Sequence, residues 1–211
     1  MQTDPGLTRT DNVLVTTPAQ LAEMVAHLTV QPVLSLDTEA DSFHSYFDKT
    51  CLIQIASGER EFVVDPLAVR DLAALGPILA SPQIEKIFHA AEYDILILKR
   101  DYHFSIVNIF DTMVASKVLG YKRSGLSALA EELLGLSLDK SLQRADWSRR
   151  PLTPQLLDYA RQDVRYLMEL RRLLGDQLAA RGRLAQAQEE FNRLTQVTWN
   201  RRAFDPEVYK H

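Results

Sequence analysis

The residues with the clearest chemical potential in this chain are acidic side chains in three separate segments. They stand in or directly after the segments VLSLDTEA, KIFHA and LLDYARQDVRYL: Asp37 and Glu39, Asp94, and Asp163. Because side chains alternate across a strand, Asp37 and Glu39 project from one face if VLSLDTEA is a strand. Two like charges on one face are costly to bury unless a cation or a proton relieves them. The pair therefore predicts either a cation site or an acidic loop that begins at Asp37.

The other candidates also have structural interpretations when each is taken alone. Asp94 falls in the first turn of a predicted helix, where an acid interacts favourably with the helix dipole. Tyr159 and Asp163 are four residues apart on a predicted helix, so they share one face, as a boundary tyrosine and a solvent-facing aspartate also would. His89 ends the strand-like run KIFHA, where a hydrogen-bonded core histidine is the ordinary interpretation.

Together, the four acids have the composition of a cage for hard divalent cations. Sites built from carboxylate oxygens select Mg²⁺ or Mn²⁺. Hydrolysis of a phosphodiester by two metals requires acids from separate elements that converge on ions roughly 3.5–4 Å apart. In that chemistry one ion activates water and the other stabilises the leaving oxygen. Two acids on a strand, one on a helix and one on a late helix meet this requirement.

The apolar pattern predicts the elements that must position these acids. Strands are predicted over 13–17, 33–40, 51–57, 61–65 and 86–90, and the spacers between the second, third and fourth are short enough for antiparallel neighbours. Helices are predicted from Pro18, over 92–102, in two segments after Asp111, from Pro154, and over roughly 183–198. A run of strands, then βα units, then helices indicates a mixed sheet covered by helices.

Composition sets limits on the class of protein. The chain has 211 residues, 46% of them hydrophobic and 25% charged, which is typical of one globular domain. No apolar run approaches the ~20 residues that span a bilayer, and the first residues lack an apolar signal region. The single cysteine, Cys51, excludes an internal disulfide and favours a cytoplasmic location. The net charge of −4 argues only weakly against nucleic-acid binding, because two divalent cations would reverse the local sign.

The order and spacing of the acidic segments resemble the DEDD 3′-5′ exonucleases, in the subclass with a tyrosine in the third motif. The segments LDTE (36–39), FHAAEYD (88–94) and YARQD (159–163) resemble the first, second and third motifs of that family. Further segments resemble the catalytic domain of the ribonuclease D family: CLIQIA (51–56), FDTMVASKVLGY (110–121) and LDKSLQRADWSRRPL (138–152). The resemblance implies a ribonuclease H-like fold, with a five-stranded mixed sheet flanked by helices. It also implies cleavage from a free RNA 3′ end that releases nucleoside 5′-monophosphates.

The same resemblance implies roles for individual residues. The four acids would hold two divalent cations, Mg²⁺ or Mn²⁺. Tyr159 would orient the attacking water, since a phenol with an ordinary pKa of ~10 is a poor base at neutral pH. Candidate substrate contacts comprise two aromatic residues that could stack on bases, a motif histidine, and polar residues that could reach phosphates: Phe43, Tyr46, His89, Lys117, Lys140 and Gln143, with Lys122, Arg123 and Arg144. Loop packing and a solvated basic rim are the alternatives for these contacts.

The expected organisation and substrate follow from the same comparison. Residues 1–12 are expected to be flexible, 13–175 to form the exonuclease domain, and 176–211 to form a helical extension that resembles the start of a helical RNA-binding domain. The expected partner is a single-stranded RNA 3′ end, from tRNA precursors or short oligoribonucleotides, and no membrane. A DNA exonuclease is the alternative, because contacts to the 2′-hydroxyl are not readable here. A non-catalytic binding module would be expected to lack an acid, and the sequence does not indicate an oligomeric state.

Overall fold

The core of the protein is a mixed β-sheet, seen in a computed structural model that describes residues 11–41 and 49–199. Its strands are β1 (Asp11–Val15), β2 (Val33–Ala40), β3 (Thr50–Ala56), β4 (Arg60–Val64), β5 (Glu85–Phe88) and β6 (Ile109–Asp111). Their spatial order is β1-β4-β3-β2-β5-β6. The β2–β3 and β3–β4 pairs are antiparallel, whereas β1–β4, β2–β5 and β5–β6 are parallel. The predicted mixed sheet is therefore confirmed.

The sheet contains one strand more than the five that the sequence predicts. The additional strand is β6, whose three residues are all buried and which pairs with β5 from Lys86↔Ile109 to Phe88↔Asp111. Three residues are too few to show a strand period. Moreover, Asp111 ends the strand and is also the N-cap of the next helix, so the local sequence indicates a helix start. At the other edge, β1 begins at Asp11, within the segment 1–12 that was expected to be flexible.

Eight helices surround this sheet in the described part of the chain. They are α1 (Pro18–Leu28), α2 (Gly76–Leu79), α3 (Glu92–Tyr102), α4 (Thr112–Leu119), α5 (Leu126–Leu134), α6 (Pro154–Arg165), α7 (Leu167–Ala180) and α8 (Leu184–Thr195). Three begin at an N-cap residue of a type that favours this position: the side chains of Thr17, Asp111 and Thr153 each accept a hydrogen bond from a main-chain N–H of the first turn. No described helix is both long and apolar enough to cross a membrane.

Alternation along the strands divides the sheet into two faces. Leu36, Ile53 and Ile55 belong to the main core with buried residues of α1 and α3. Residues on the alternate face lie under α6, which packs on β2, β3 and β4. There Leu52 and Val63 form a second apolar cluster with side chains of α6 and of the loop before it. Helices therefore cover both faces, as predicted.

The last two helices share the core of this domain. α7 runs through residue 175, the expected end of the exonuclease domain. α8 packs on α4 and β6, and the Phe191 ring lies 4.9 Å from the Phe110 ring, centroid to centroid. Over its described part, the expected C-terminal extension is thus helical and packed on the sheet.

Candidate active site

Three carboxylates converge where β2 approaches its end. Asp37 and Glu39 lie on the face of β2 that α6 covers, opposite Gln54 and Leu52 of β3. Asp163, near the end of α6, faces the same point, so that one carboxylate oxygen from each of the three acids lies within 4.8 Å of the others. The acidic-loop interpretation of Asp37 and Glu39 is wrong, because both residues are in the strand.

Asp94 adds a fourth acid from α3, on the other side of β2. It is 6% exposed, and its Oδ1 accepts a hydrogen bond of 2.5 Å from the hydroxyl of Thr38. Thr38 stands between the two acids of β2, so this bond ties α3 to the strand. Asp94 is also in the first turn of α3, as predicted, where an acid interacts favourably with the helix dipole.

Burial and mutual repulsion dominate the electrostatics of these acids. Burial, followed by the charges of Asp94, Asp163 and Glu39, raises the pKa of Asp37 well above its usual range. The pKa of Glu39 is raised in the same way. Burial raises the pKa of Asp94 to about 7, against the opposing hydrogen bond from Thr38. Burial also raises the pKa of Asp163 to about 7. Such a cluster is stabilised by protons or by a cation, and the set of donors fits a hard divalent ion.

Tyr159 lies one helical turn before Asp163, on the buried side of α6. It is 8% exposed, and its ring centroid lies 6.0 Å from that of Trp147, which is 1% exposed. Burial, followed by the charges of Asp163 and Glu39, raises the pKa of Tyr159 above its ordinary value. The phenol therefore keeps its proton at neutral pH and can donate a hydrogen bond beside the carboxylates.

The irregular segment 138–152 closes one side of the site. Arg150 donates to both oxygens of the buried Asp65 at 2.6 and 2.8 Å, and to the carbonyls of Cys51 and Trp147. These bonds hold the segment against β3 and the end of β4. A cavity of about 320 Å³ opens between this segment and β2, and it is lined by Thr38, Glu39, Ala40, Tyr93, Gln143, Arg144 and Trp147.

His89 lies at the turn from β5 into α3. The Thr112 hydroxyl donates to the Phe88 carbonyl at 3.1 Å, so His89 Nδ1 donates to that hydroxyl across 2.9 Å. The pKa of His89 is lowered to about 4, mainly by burial, against the charge of Asp111 and with a smaller contribution from the charge of Lys117. His89 is therefore neutral at pH 7. The exposed Lys117 of α4 is near enough for its charge to act on His89.

The structure separates the remaining predicted substrate contacts. Gln143 lines the cavity beside Glu39, and Lys140 is exposed in the same segment. By contrast, Lys122 and Arg123 follow the end of α4 and line a different cavity with Arg181, and Arg123 pairs with Glu131. Phe43 and Tyr46 lie outside the described residues.

Two residues that position the acids did not stand out in the sequence. Thr38 is the bond partner of Asp94, and its place inside LDTE was the available signal. Asp111 is fully buried and accepts the main-chain N–H groups of Ala90 and Ala91 at 3.3 and 2.7 Å, next to the start of α3. Ala90 has a left-handed φ of 62°, so these bonds stabilise a turn that an alanine does not favour.

A mixed sheet flanked by helices, with four carboxylates gathered beside one strand, is the arrangement of a nuclease domain of the ribonuclease H-like fold. The chain belongs to the 3′-5′ exonuclease family, whose model matches residues 12–179. The family is dependent on divalent metals, and the cluster of Asp37, Glu39 and Asp163 supplies suitable ligands.

Individual relatives agree with this assignment. Ribonuclease D of Nitrobacter hamburgensis is 40% identical over 184 residues, which are 86% of this chain and 48% of that protein. The catalytic core of RRP6 from Trypanosoma brucei superposes with a TM-score of 0.91 at 31% identity, over 97% of this chain and 57% of that one. NrnC of Brucella melitensis, in a structure bound to pGG, superposes with a TM-score of 0.77 at 27% identity, over 89% of this chain and 91% of that one.

The curated relatives are longer proteins. This chain spans about a fifth to a half of the length of those that it matches, from 18% to 48%.

Proposed function

We propose that this chain is a metal-dependent 3′→5′ exoribonuclease that removes nucleotides one at a time from single-stranded RNA 3′ ends. The observation that carries the proposal is the convergence of Asp37, Glu39 and Asp163 within 4.8 Å, in a chain of the 3′-5′ exonuclease family. RNA is favoured over DNA because the relatives include ribonuclease D and RRP6.

In this proposal, the carboxylates of Asp37, Glu39, Asp94 and Asp163 hold two divalent cations, Mg²⁺ or Mn²⁺. Bound ions of this kind activate water and stabilise the leaving oxygen of a phosphodiester. Thr38 holds Asp94 by a hydrogen bond of 2.5 Å, and α6 positions Asp163.

Tyr159 would orient the attacking water. Its pKa is raised, so the hydroxyl acts as a hydrogen-bond donor and acceptor rather than as a base. Its position next to Trp147 in a packed cluster fixes the ring, which leaves the hydroxyl as the part of the side chain that serves the reaction.

The cavity beside Glu39 is the proposed place of the terminal nucleotides. Gln143 and Lys140 would contact the phosphates or bases there, with His89 and Lys117 on the α4 side and with Phe43 and Tyr46 as stacking residues. Short oligoribonucleotides are the substrate that the likeness to NrnC bound to pGG supports, and tRNA precursors are the second possibility. A cytoplasmic location, in keeping with the free and buried Cys51, completes the proposal.

The test incubates 5′-labelled single-stranded RNA with the protein and Mg²⁺ or Mn²⁺, beside DNA of the same sequence. We expect a ladder that shortens from the 3′ end, that disappears with chelator, and that is lost in Asp37→Ala. Asp176→Ala is the matched control, because its carboxylate is 71% exposed on α7. Intact RNA with both metals and a folded protein, or faster degradation of the DNA, would contradict the proposal.

A further inference from the structure

A buried amide lies directly beside Asp37 on the neighbouring strand. Gln54 of β3 is the cross-strand partner of Asp37 and is fully buried. Side chains that are directly opposite in an antiparallel pair project from the same face, with Cβ atoms about 4.5–5.5 Å apart. Ile53 and Ile55, on either side of Gln54 in sequence, point into the main core on the opposite face. Gln54 therefore lies under α6, in the layer that contains the carboxylate cluster.

The hydrogen-bonding groups of this amide are not used within the domain. Neither Nε2 nor Oε1 of Gln54 has a partner among the residues that the structure describes, and the same holds for Oγ of Ser35. Ser35 is also fully buried, and it precedes Asp37 by two residues on the same face of β2. A buried amide without hydrogen bonds destabilises the folded state, because its hydrogen bonds to water are lost and not replaced. Two adjacent side chains of this kind indicate a function that an apolar pair would not serve.

The neighbours of Gln54 on the sheet narrow the choice of partner. Its cross-strand neighbour on β4 is Val63, and the next residue on its face of β3 is Leu52, and both are apolar. The diagonal acid on β4, Glu61, already accepts two hydrogen bonds from Arg165. Asp37 is opposite and Ser35 is diagonal to it. An amide group has two N–H donors and one carbonyl acceptor. These match one carboxylate and one hydroxyl.

We infer that Gln54 is a positioning residue for Asp37: its amide N–H donates to the Asp37 carboxylate, and its carbonyl accepts from the Ser35 hydroxyl, when a divalent cation occupies the cluster. The inference rests on the proposed function. Carboxylates that ligate a metal are themselves hydrogen-bonded, and these outer partners fix the orientation of the ligand. An amide suits this position better than a lysine would, because it supplies donors without a positive charge that competes with the cation.

The test is a calorimetric titration of Mn²⁺ into the wild-type protein and into Gln54→Met, which keeps the length of the side chain and removes its polar atoms. We expect the dissociation constant for Mn²⁺ to rise by roughly tenfold or more in Gln54→Met. Its unfolding temperature in chelator should be equal to that of the wild type or higher, because an unsatisfied amide is removed. Val63→Ala is the packing control: it perturbs the other side of Gln54, so it should lower stability and leave Mn²⁺ affinity unchanged.

The possible outcomes separate this inference from the proposed function. Wild-type affinity in a folded Gln54→Met overturns the inference alone. Absence of Mn²⁺ binding by the wild type overturns the proposed function, and the inference with it. If Gln54→Met does not fold, Ser35→Ala decides, because it deletes only the hydroxyl: a several-fold weaker binding of Mn²⁺ supports the inference, and unchanged binding overturns it.

Discussion

Removal of one charge from the carboxylate cluster should stabilise the metal-free protein. Asp163 lies within 4.8 Å of Asp37 and Glu39, and burial raises its pKa from 3.8 to about 7. A carboxyl group with a higher pKa in the native state than in the unfolded state destabilises the fold wherever the unfolded state ionises first. Asp163→Asn keeps the shape of the side chain and removes that charge, so it should raise the free energy of unfolding at alkaline pH.

The sign and the magnitude follow from the two pKa values. Below about pH 4 the carboxyl group is mostly protonated in both states, and the variant should match the wild type. Between about pH 4 and pH 7 the wild type loses stability as pH rises, and above pH 7 the loss is complete. A pKa of about 7 against 3.8 sets an upper limit of about 4 kcal/mol, at ~1.4 kcal/mol for each pKa unit. With roughly 2–4 °C per kcal/mol for a domain of this size, this limit corresponds to about 8–16 °C, so Asp163→Asn should melt higher than the wild type at pH 8 by up to that amount.

The assay is thermal unfolding followed by circular dichroism in chelator, at pH 4, 6 and 8. Asp158→Asn is the control, because this acid lies on the same helix with its side chain 73% exposed. Mg²⁺ should then reverse the order, since a cation that binds the native state stabilises the wild type and has lost a ligand in Asp163→Asn. Equal melting temperatures of the variant and the wild type at pH 8 in chelator would refute the electrostatic reasoning.

Three further predictions concern the residues that hold the site. Arg165→Ala leaves the carboxylate of Glu61, 2% exposed, without its two hydrogen bonds of 2.9 and 3.1 Å; urea unfolding should show a loss of about 3 kcal/mol. A loss below 1 kcal/mol would show that Glu61 is solvated. Arg150→Ala releases the segment 138–152, so kcat/KM for RNA should fall while Mn²⁺ affinity measured by calorimetry persists; an unchanged kcat/KM would contradict this role. Tyr159→Phe should lower kcat roughly 100-fold and leave the melting temperature unchanged. A variant with the kcat of the wild type would show that the hydroxyl takes no part in the reaction.

Most strands and helices could be predicted from the sequence, because the patterns that indicate them are local. Period-two and helical apolar patterns, with caps such as Thr17 and Thr153, placed five strands and the long helices. β6 was not predicted, because a strand of three residues is defined only by its pairing with β5. The pairing itself is a long-range contact that no local pattern encodes. The four acids were found because two of them share a strand and all of them match family motifs in order.

The positioning residues were harder to predict, since their partners are distant in sequence. Thr38 acts on Asp94 across 56 positions, and the hydroxyl gives no sign of that contact within its own strand. Gln54 stands inside CLIQIA, an apolar run in which one polar letter does not change the strand prediction. Lys122 and Arg123 follow the end of α4 and line a separate cavity, so their contact with phosphates stays a prediction.

The arrangement of charges around the cluster explains how the domain tolerates four acids in one place. Both helix α6 and the segment before it are fixed to the sheet by buried ion pairs, Arg165 with Glu61 and Arg150 with Asp65. In each pair the arginine is matched by its own acid, so the pair fixes its element to the sheet without neutralising the carboxylate cluster. The acids therefore repel one another in the folded protein, and a bound cation relieves this repulsion. The ion pairs hold the elements that carry the acids, and the acids repel one another at the positions where a cation binds. Loss of a charge at Asp163 should therefore stabilise the metal-free protein, whereas loss of the ion pair at Arg165 should destabilise it.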